Sequence, residues 1–176
     1  MSILTIILIV LAGIVALPFL FALFMRKEHY VSSEIIIRAP NQKVFDFVKL
    51  LKNQEKFNKN AAADADRKQE FIGTDGAVGF IIAWSGNKNA GEGEKEIKNI
   101  IEGKRIESEI RFVKPMKTSA TIVMQTESVS DHETKVSWSN KGTLPYPLNI
   151  MIPMVEKHVA KDMNSSLVTL KDILEK

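Results

Sequence analysis

The chain has 176 residues, of which 45% are hydrophobic, so it can form one domain with a substantial core plus an appendage. Its 24 basic and 21 acidic residues give a net charge of +3 and are spread along the chain, which excludes the clustered basic face of a nucleic-acid-binding protein. It has no cysteine, which excludes disulfides, thiolate nucleophiles and cysteine zinc sites.

The N-terminal segment is typical of a membrane span. Between Ile3 and Met25 there is no charged residue, and at about 1.5 Å per residue this length crosses a hydrocarbon layer of ~30 Å. The segment lacks the basic start and small-residue cleavage site of a signal peptide, so it is predicted to be an uncleaved anchor. Arg26 and Lys27 follow the span, and the positive-inside rule places the rest of the chain in the cytoplasm. The predicted organisation is an anchor at 1–26, a tether at 27–30 and a folded domain at 31–176.

The folded domain is predicted to begin with a strand and a helix. Residues 31–38 are rich in β-branched side chains, and the sequence Ala-Pro-Asn at 39–41 ends the strand. The next stretch, NQKVFDFVKLLKN, has apolar residues at helical spacing, namely Val44, Phe47, Val48 and Leu51. A second short helix is predicted near 54–58, and residues 61–66 (AAADAD) form a polar connector.

From Arg67 onward, apolar and polar residues alternate, and glycine-rich turns separate six predicted strands. These strands cover 68–72, 77–85, 92–101, 105–113, 118–129 and 134–141, with a hairpin loop at 86–91. One face of the strand at 77–85 carries Val78, Phe80, Ile82 and Trp84. Strands joined by consecutive hairpins predict an antiparallel sheet.

The last segment returns to helical spacing. Its apolar stripe consists of Ile152, Val155, Val159, Met163, Leu167, Leu170 and Leu174. Pro145 and Pro147 end the last strand, while Pro153 lies in the first turn of the last helix or kinks a helix that begins near Leu148. The whole order predicts an α+β fold with the helices on one side of the sheet.

Four stretches support a family resemblance: EIIIRAPNQKVFDFV, GTDGAVGFIIAW, GEGEKEIKNIIEGKRIESEIRF, and VSW followed by PYPLNIM. Together with the element order over 31–176, they resemble the START-like (SRPBCC) superfamily, in particular its membrane-anchored polyketide cyclase/dehydrase-like branch. The resemblance implies the helix-grip fold, a curved antiparallel sheet of about seven strands wrapped round a long C-terminal helix. It also implies a cavity between sheet and helix that holds an apolar molecule. Activity does not follow from it, since one fold hosts carriers, cyclases and regulators.

The alternation places one set of apolar side chains on the concave sheet face, opposite the last helix. The predicted cavity residues are Phe80, Ile82, Trp84, Ile97, Ile110, Phe112, Ile122, Met124, Val136, Trp138, Met151, Met154, Val155 and Val159, with Met163 beyond them. Methionine and tryptophan suit an adaptable apolar site, and the alternative is that all these residues pack as a dry core. The polar groups that could orient a ligand are Asn99, Ser108, Asn140 and Tyr146.

Signals of catalysis are weak. His158 and Asp162 are four residues apart on the predicted last helix, which suits an oriented base but equally a surface pair. Tyr146 is the other candidate for proton transfer. Glu94 and Glu96 share a strand face, where alternating charge favours a solvated outer surface over a catalytic carboxylate pair. No histidine motif of a metal site occurs, and neither a metal nor a cofactor is predicted.

The sequence therefore predicts a membrane-anchored binding protein for a hydrophobic small molecule or lipid. Its predicted partners are the lipid bilayer and that ligand, with no nucleic acid. Two alternatives remain open. The first is a polyketide cyclase/dehydrase-like enzyme that uses Tyr146, His158 or a carboxylate. The second is a membrane-proximal interaction module whose cavity is filled by its own side chains.

Overall fold

The computed structural model describes residues 2–62, 67–87 and 91–176. The predicted connector at 61–66 and the hairpin loop at 86–91 therefore lie partly outside the described residues. The described elements follow the order of a long apolar helix, a strand, short helices, six strands and a long C-terminal helix. The predicted fold class is confirmed.

Helix α1, Ile3–Phe24, is long and apolar enough to cross a membrane, the one such helix in the described part of the chain. Its described apolar side chains are exposed except for that of Ala22, which is buried near the end of the helix. A helix on the surface of a water-soluble domain is usually apolar along one stripe only, and α1 differs from such a helix. The Ser2 hydroxyl caps the helix by accepting a hydrogen bond from the Thr5 backbone N–H at 3.2 Å.

The strands are β1 (Glu28–Ile37), β2 (Lys68–Ile72), β3 (Ile81–Ser85), β4 (Glu92–Ile101), β5 (Arg105–Lys114), β6 (Thr118–Ser130) and β7 (Glu133–Thr143). They form one sheet of seven strands in the order β1-β7-β6-β5-β4-β3-β2, with every neighbouring pair antiparallel. Hairpins join β2 to β7 in sequence, as predicted, and β1 adds to the far side of β7. The concave face of this sheet receives the helices.

Strand β1 begins earlier than predicted. Glu28 lies opposite Thr143 and His29 opposite Gly142, so the ladder with β7 includes most of the predicted tether at 27–30. Pairing satisfies backbone groups that would otherwise need water, and this outweighs the weak strand propensity of the segment. The folded domain consequently starts almost directly after α1.

Two irregularities correct the predicted strand faces. Gly79 has a φ of +87°, which glycine adopts readily, and the turn around it leaves Val78 62% exposed instead of on the concave face. In β4 the register shifts between Ile97 and Asn99. Such a bulge reverses the alternation beyond it, so Asn99 is exposed and does not face inward as predicted.

The helices after β1 are α2 (Asn41–Lys49), α3 (Leu51–Phe57) and α4 (Lys59–Ala62). The pattern at 41–53 predicted a single helix, but Leu50 has an extended backbone that separates α2 from α3. The Asp75 carboxylate accepts hydrogen bonds from the N–H groups of Leu51 at 2.8 Å and Lys52 at 3.2 Å. These are first-turn donors with no partner inside α3, so Asp75 stabilises a new helix start at this point.

The C-terminal helix, α5, covers Ile152–Leu174 and follows a 3₁₀ helix at Leu148–Met151. Pro153 lies in the first turn of α5, where a backbone N–H has no helical partner to lose. This confirms the alternative in which the helix begins near Ile152. The 3₁₀ helix is held in place by Asn149, which is completely buried.

The dry core lies where the C-terminal half of α5 meets the short helices and the sheet. Its residues from α2, α3 and α5 include Val44, Phe45, Val48, Leu51, Met163, Leu167, Leu170 and Leu174. Phe57 packs edge-on against Trp138, with 6.1 Å between the ring centroids. Beside the N-terminal half of α5, a space remains between helix and sheet.

Candidate functional site

A cavity of about 290 Å³ lies between the N-terminal half of α5 and the concave sheet face. This volume is close to the lower end of the range of ~300–1,000 Å³ for small-molecule sites. The apolar lining consists of Ala61, Ile82, Trp84, Ile110, Phe112, Ala120, Ile122, Trp138, Leu144, Val155, Val159 and Met163. Trp84 meets Phe112 edge to face, with 5.8 Å between the centroids.

The residues predicted to line a cavity fall into three groups. Those that do line it are Ile82, Trp84, Ile110, Phe112, Ile122, Trp138, Val155 and Val159. A second group, Phe80, Ile97, Met124 and Val136, lies in the dry core and is at most 1% exposed. The third group, Met151 and Met154, lies at the surface, 40% and 61% exposed.

The core group and the surface group depart from the predicted lining for two different reasons. The core group belongs to the same buried cluster as apolar residues of α2 and α3, so no space is left beside it. In the first turn of α5, Ile152 is buried and Val155 lines the cavity. Met151 and Met154 each precede one of these inward residues by one position, which turns their side chains away from the sheet.

Neither candidate for proton transfer lies in the cavity lining. Tyr146 is 43% exposed, and the His158 side chain is exposed on the outer side of α5. The His158 Nε2 atom is 3.2 Å from an Asp162 carboxylate oxygen, so the pair is the surface contact that the sequence left as an alternative. Of the predicted polar groups, Ser108 is buried outside the lining, and Asn140 lines the cavity.

The outer face of β4 is solvated, as the charge alternation predicted. Arg111 on β5 donates hydrogen bonds at 2.7 Å to both Glu94 and Glu96. The hydrogen bond from Arg111, with another from Lys98, holds the pKa of Glu96 below its usual value. The two carboxylates therefore stabilise the sheet surface and face away from the cavity.

Polar side chains form the rest of the cavity lining, and of these only Asn140 was predicted as a ligand contact. They are His29, Glu55, Asn58, Arg67, Lys95, Thr118, Ser119, Asn140, Asp162 and Ser166. They come from α3 and the residue after it, the residue before β2, strands β1, β4, β6 and β7, and α5. The cavity is thus apolar along its walls and polar at particular points, as small-molecule sites generally are.

Lys95 is the most buried cation of the lining. It is 7% exposed, and its cross-strand neighbours are Ile82 on β3 and Ile110 on β5. Its Nζ donates a hydrogen bond of 2.6 Å to Gln54 Oε1. Burial lowers the pKa of Lys95 to about 8. The sequence indicated this position, because Lys95 is two residues before the inward-facing Ile97 and therefore lies on the same face of β4.

Arg67 and Glu55 form an ion pair at another point of the lining. Glu55 also accepts a hydrogen bond of 2.7 Å from Gln69. The Arg67 guanidinium lies 5.8 Å from the centre of the Trp84 ring, within range of a cation–π contact. Burial lowers the pKa of Arg67, and the pair as a whole carries no net charge.

His29 and Asn140 define the end of the cavity nearest to α1. Their side chains meet at 3.2 Å, between His29 Nε2 and Asn140 Oδ1, and the imidazole is 7% exposed. The ring lies over Gly142, where an added Cβ would be 2.5 Å from His29 Cε1. A larger residue at this position would therefore displace the His29 ring.

Asp162 and Ser166 on α5 bind the start of α4. Asp162, 6% exposed, lies 3.1 Å from Lys59 Nζ, and the Ser166 hydroxyl accepts a hydrogen bond of 3.0 Å from the Lys59 backbone N–H. Asp162 also contacts His158. Its negative charge is thus balanced by neighbours outside the cavity.

Known structures share this architecture. Norcoclaurine synthase from Thalictrum flavum matches at 13% identity over 85% of this chain and 95% of that chain, with a TM-score of 0.64. A hypothetical protein from Helicobacter pylori matches at 12% identity over 83% and 88%, with a TM-score of 0.64. A protein from Chromobacterium violaceum matches at 13% identity over 84% and 98%, with a TM-score of 0.60.

At the level of sequence, no protein-family model matches the chain, and no curated protein matches it. Identities this low establish shared architecture and not shared activity. The sheet, the long C-terminal helix and these structural relatives together show that the chain has the helix-grip fold.

Proposed function

We propose that this protein is a membrane-anchored binding protein that holds a hydrophobic small molecule or lipid between its sheet and α5. The observation that carries the proposal is the cavity of about 290 Å³ with its largely aromatic and aliphatic walls. Burying apolar ligand surface there is favourable by about 25 cal/mol per Å². The fold is compatible with this role, since norcoclaurine synthase has been solved in complex with dopamine and hydroxybenzaldehyde.

The position of α1 supports an exchange of ligand with a bilayer. Leu144, which lines the cavity, donates its backbone N–H to the Lys27 carbonyl at 2.8 Å. Arg26 forms an ion pair of 2.6 Å with Glu156 in the second turn of α5. One end of the cavity is thereby held next to the end of the anchor. An apolar molecule dissolved in the bilayer would have a short path to it.

The exposed apolar residues of this region fit the same arrangement. Ile150, Met151 and Met154 are 37%, 40% and 61% exposed. They lie on, or one turn after, the 3₁₀ helix that contacts α1. Exposed apolar side chains beside an anchor suit the interfacial layer of a membrane.

We infer that the chain belongs to the polyketide cyclase/dehydrase-like branch. We also infer that Arg26 and Lys27 place its domain on the cytoplasmic side of the membrane.

The test is to fill the cavity and measure the bound molecule. The Val159→Trp variant places a large ring in the cavity, while Val168→Trp adds the same ring to an exposed position on the same helix. Full-length protein is extracted from its membrane in polymer discs, and native mass spectrometry identifies the small molecules that remain bound. We expect an apolar molecule with wild type and Val168→Trp, and its loss in Val159→Trp. Wild-type protein that carries no such molecule, and accepts no added apolar probe, would refute the proposal.

Membrane topology has a separate test because the chain has no cysteine. A single Lys176→Cys substitution therefore gives one labelling site, outside α1. In intact cells we expect an impermeant maleimide to leave it unlabelled until the membrane is opened. Labelling in intact cells would contradict the cytoplasmic placement without affecting the cavity proposal.

An enzyme of cyclase or hydratase type is the second candidate. It is favoured by the ionisable side chains of the lining, above all Glu55, Lys95 and Asp162. Tyr146 and His158 are less suited to this chemistry because neither lines the cavity. If the molecule identified by mass spectrometry is converted by wild-type protein but not by Glu55→Gln or Asp162→Asn, the enzyme is supported over the carrier.

A further inference from the structure

Lys95 differs from the other charged groups of the cavity because it has no carboxylate partner among the described residues. Glu55 pairs with Arg67, and Asp162 pairs with Lys59. Lys95 makes one hydrogen bond, to the neutral amide oxygen of Gln54 at 2.6 Å. An ammonium group has three donors, so two remain for a ligand.

Gln54 holds this ammonium group in a defined position. The Gln54 Nε2 atom donates to the Val48 carbonyl at 2.7 Å, which leaves its Oε1 atom directed at Lys95. Gln54 is itself 4% exposed, so neither side chain has ready access to water. The contact orients the charge but does not neutralise it.

A buried charge is costly unless an opposite charge accompanies it. Here the neighbours across the sheet are Ile82 and Ile110, which supply neither charge nor hydrogen bonds. An anion entering the cavity would meet one unneutralised cation. The anion would accept a charge-assisted hydrogen bond from the buried ammonium group, and this would offset the cost of burying the charge. Such hydrogen bonds are among the stronger polar contacts in proteins.

We propose that Lys95 binds the acidic head of the ligand, and that the cavity takes a carboxylate with a single apolar chain or ring system in place of a neutral lipid. This inference rests on the proposed binding function and specifies the ligand class. The apolar body would lie against Phe112, Ile122 and Trp138 on the sheet and Val159 on α5. A volume of about 290 Å³ suits one such body and not the two acyl chains of a phospholipid.

The test compares a carboxylate probe with its neutral ester. Parinaric acid and methyl parinarate differ only in the head group, and both accept energy from excited tryptophan. The two tryptophans of the chain, Trp84 and Trp138, both line the cavity, so energy transfer reports binding at this site. Full-length protein is titrated with each probe in maltoside micelles, with protein-free micelles as the blank for partition.

Wild-type protein is expected to bind the acid about tenfold or more tightly than the ester, in line with one charge-assisted hydrogen bond. Lys95→Met removes the charge with little change in volume, and the preference for the acid should disappear while ester binding persists. Lys95→Arg retains the charge and should retain a preference. Lys98→Met is the matched control, since it removes a lysine from the outer face of the same strand and should leave the preference unchanged.

Each other outcome overturns a distinct statement. Equal binding of acid and ester by wild type refutes the carboxylate ligand and leaves the proposed function intact. If Lys95→Met still prefers the acid over the ester, the proposed role of Lys95 is refuted. Another cation, such as Arg67, would then bind the carboxylate. Failure of both probes to bind wild type refutes this inference, and it refutes the proposed function as well if native mass spectrometry finds no bound apolar molecule.

Discussion

The side-chain amide of Asn149 donates hydrogen bonds to two backbone carbonyls at the end of α1, those of Ala22 at 2.6 Å and Met25 at 3.1 Å. The last carbonyls of a helix lack the usual partner one turn further on, and here a residue far along the chain donates to two of them, while the Met25 N–H also donates to the Ala22 carbonyl at 3.3 Å. Asn149 and Ala22 are both buried. The end of α1 and the 3₁₀ helix that precedes α5 therefore form one joint.

Asn149→Ala should loosen this joint. It removes the amide donor from a buried carbonyl, that of Ala22, and from a part-buried one, that of Met25, at a cost of about 1–3 kcal/mol. Hydrogen exchange measured by mass spectrometry on the full-length protein in micelles should become faster over 144–156. The C-terminal half of α5 should keep its protection because it packs in the dry core. Asn164→Ala, an exposed site on α5, is the control, and equal exchange in both variants would contradict the joint.

Lys95 should make stability depend on pH. Burial lowers its pKa in the folded protein from 10.5 to about 8, so between these values the unfolded chain retains a proton that the native chain has released. The contribution of Lys95 to the free energy of unfolding is therefore lowest below pH 8. It rises by about 3 kcal/mol in all as the pH increases from 8 to 10.5.

Unfolding of wild type and Lys95→Met by guanidinium at pH 7 and pH 10 measures this dependence. The variant should be more stable than wild type at pH 7, and the difference should shrink at pH 10. Lys98→Met corrects for the loss of a lysine in general. If the free energy of unfolding depends on pH in the same way for wild type and Lys95→Met, the burial of Lys95 does not destabilise the folded protein.

Gly142→Ala should disturb the end of the cavity. The new methyl group would lie 2.5 Å from His29 Cε1 and 3.0 Å from the Ala120 Cβ, so the imidazole must move and its contact with Asn140 is lost. We expect a loss of about 1–3 kcal/mol, the usual cost of overpacking. His29→Ala should restore part of this stability in the double variant, measured by thermal unfolding. Additive effects of the two substitutions would exclude the clash.

Asp75→Ala should destabilise α3, the helix that carries Gln54 and Glu55. Losing the acceptor for the N–H groups of Leu51 and Lys52 removes a helix cap worth about 0.5–2 kcal/mol. Thermal unfolding should show this loss, and parinarate affinity should fall because the Gln54 contact to Lys95 depends on the position of α3. Asp172→Ala, an exposed aspartate on α5, should do neither.

Local patterns in the sequence were sufficient for the main elements. The alternation in β5 and β6 and the stripe of α5 predicted their faces correctly, because strand and helix periods depend only on neighbouring residues. The same patterns failed at Asn99, where a bulge interrupts the alternation, and at Met151 and Met154, whose direction depends on where α5 begins. Periodicity carries no information on a bulge or on a helix start.

By itself, therefore, the sequence determined an apolar span, an antiparallel sheet and a long final helix, since each follows from composition and period. Only the tertiary structure decided that Lys95 meets Gln54, 41 residues away, and that Asn149 meets Ala22, 127 residues away. It also decided where the concave face is a dry core and where it is a cavity. The reason is the same in each case, because these features depend on which distant segments fill the space beside a side chain.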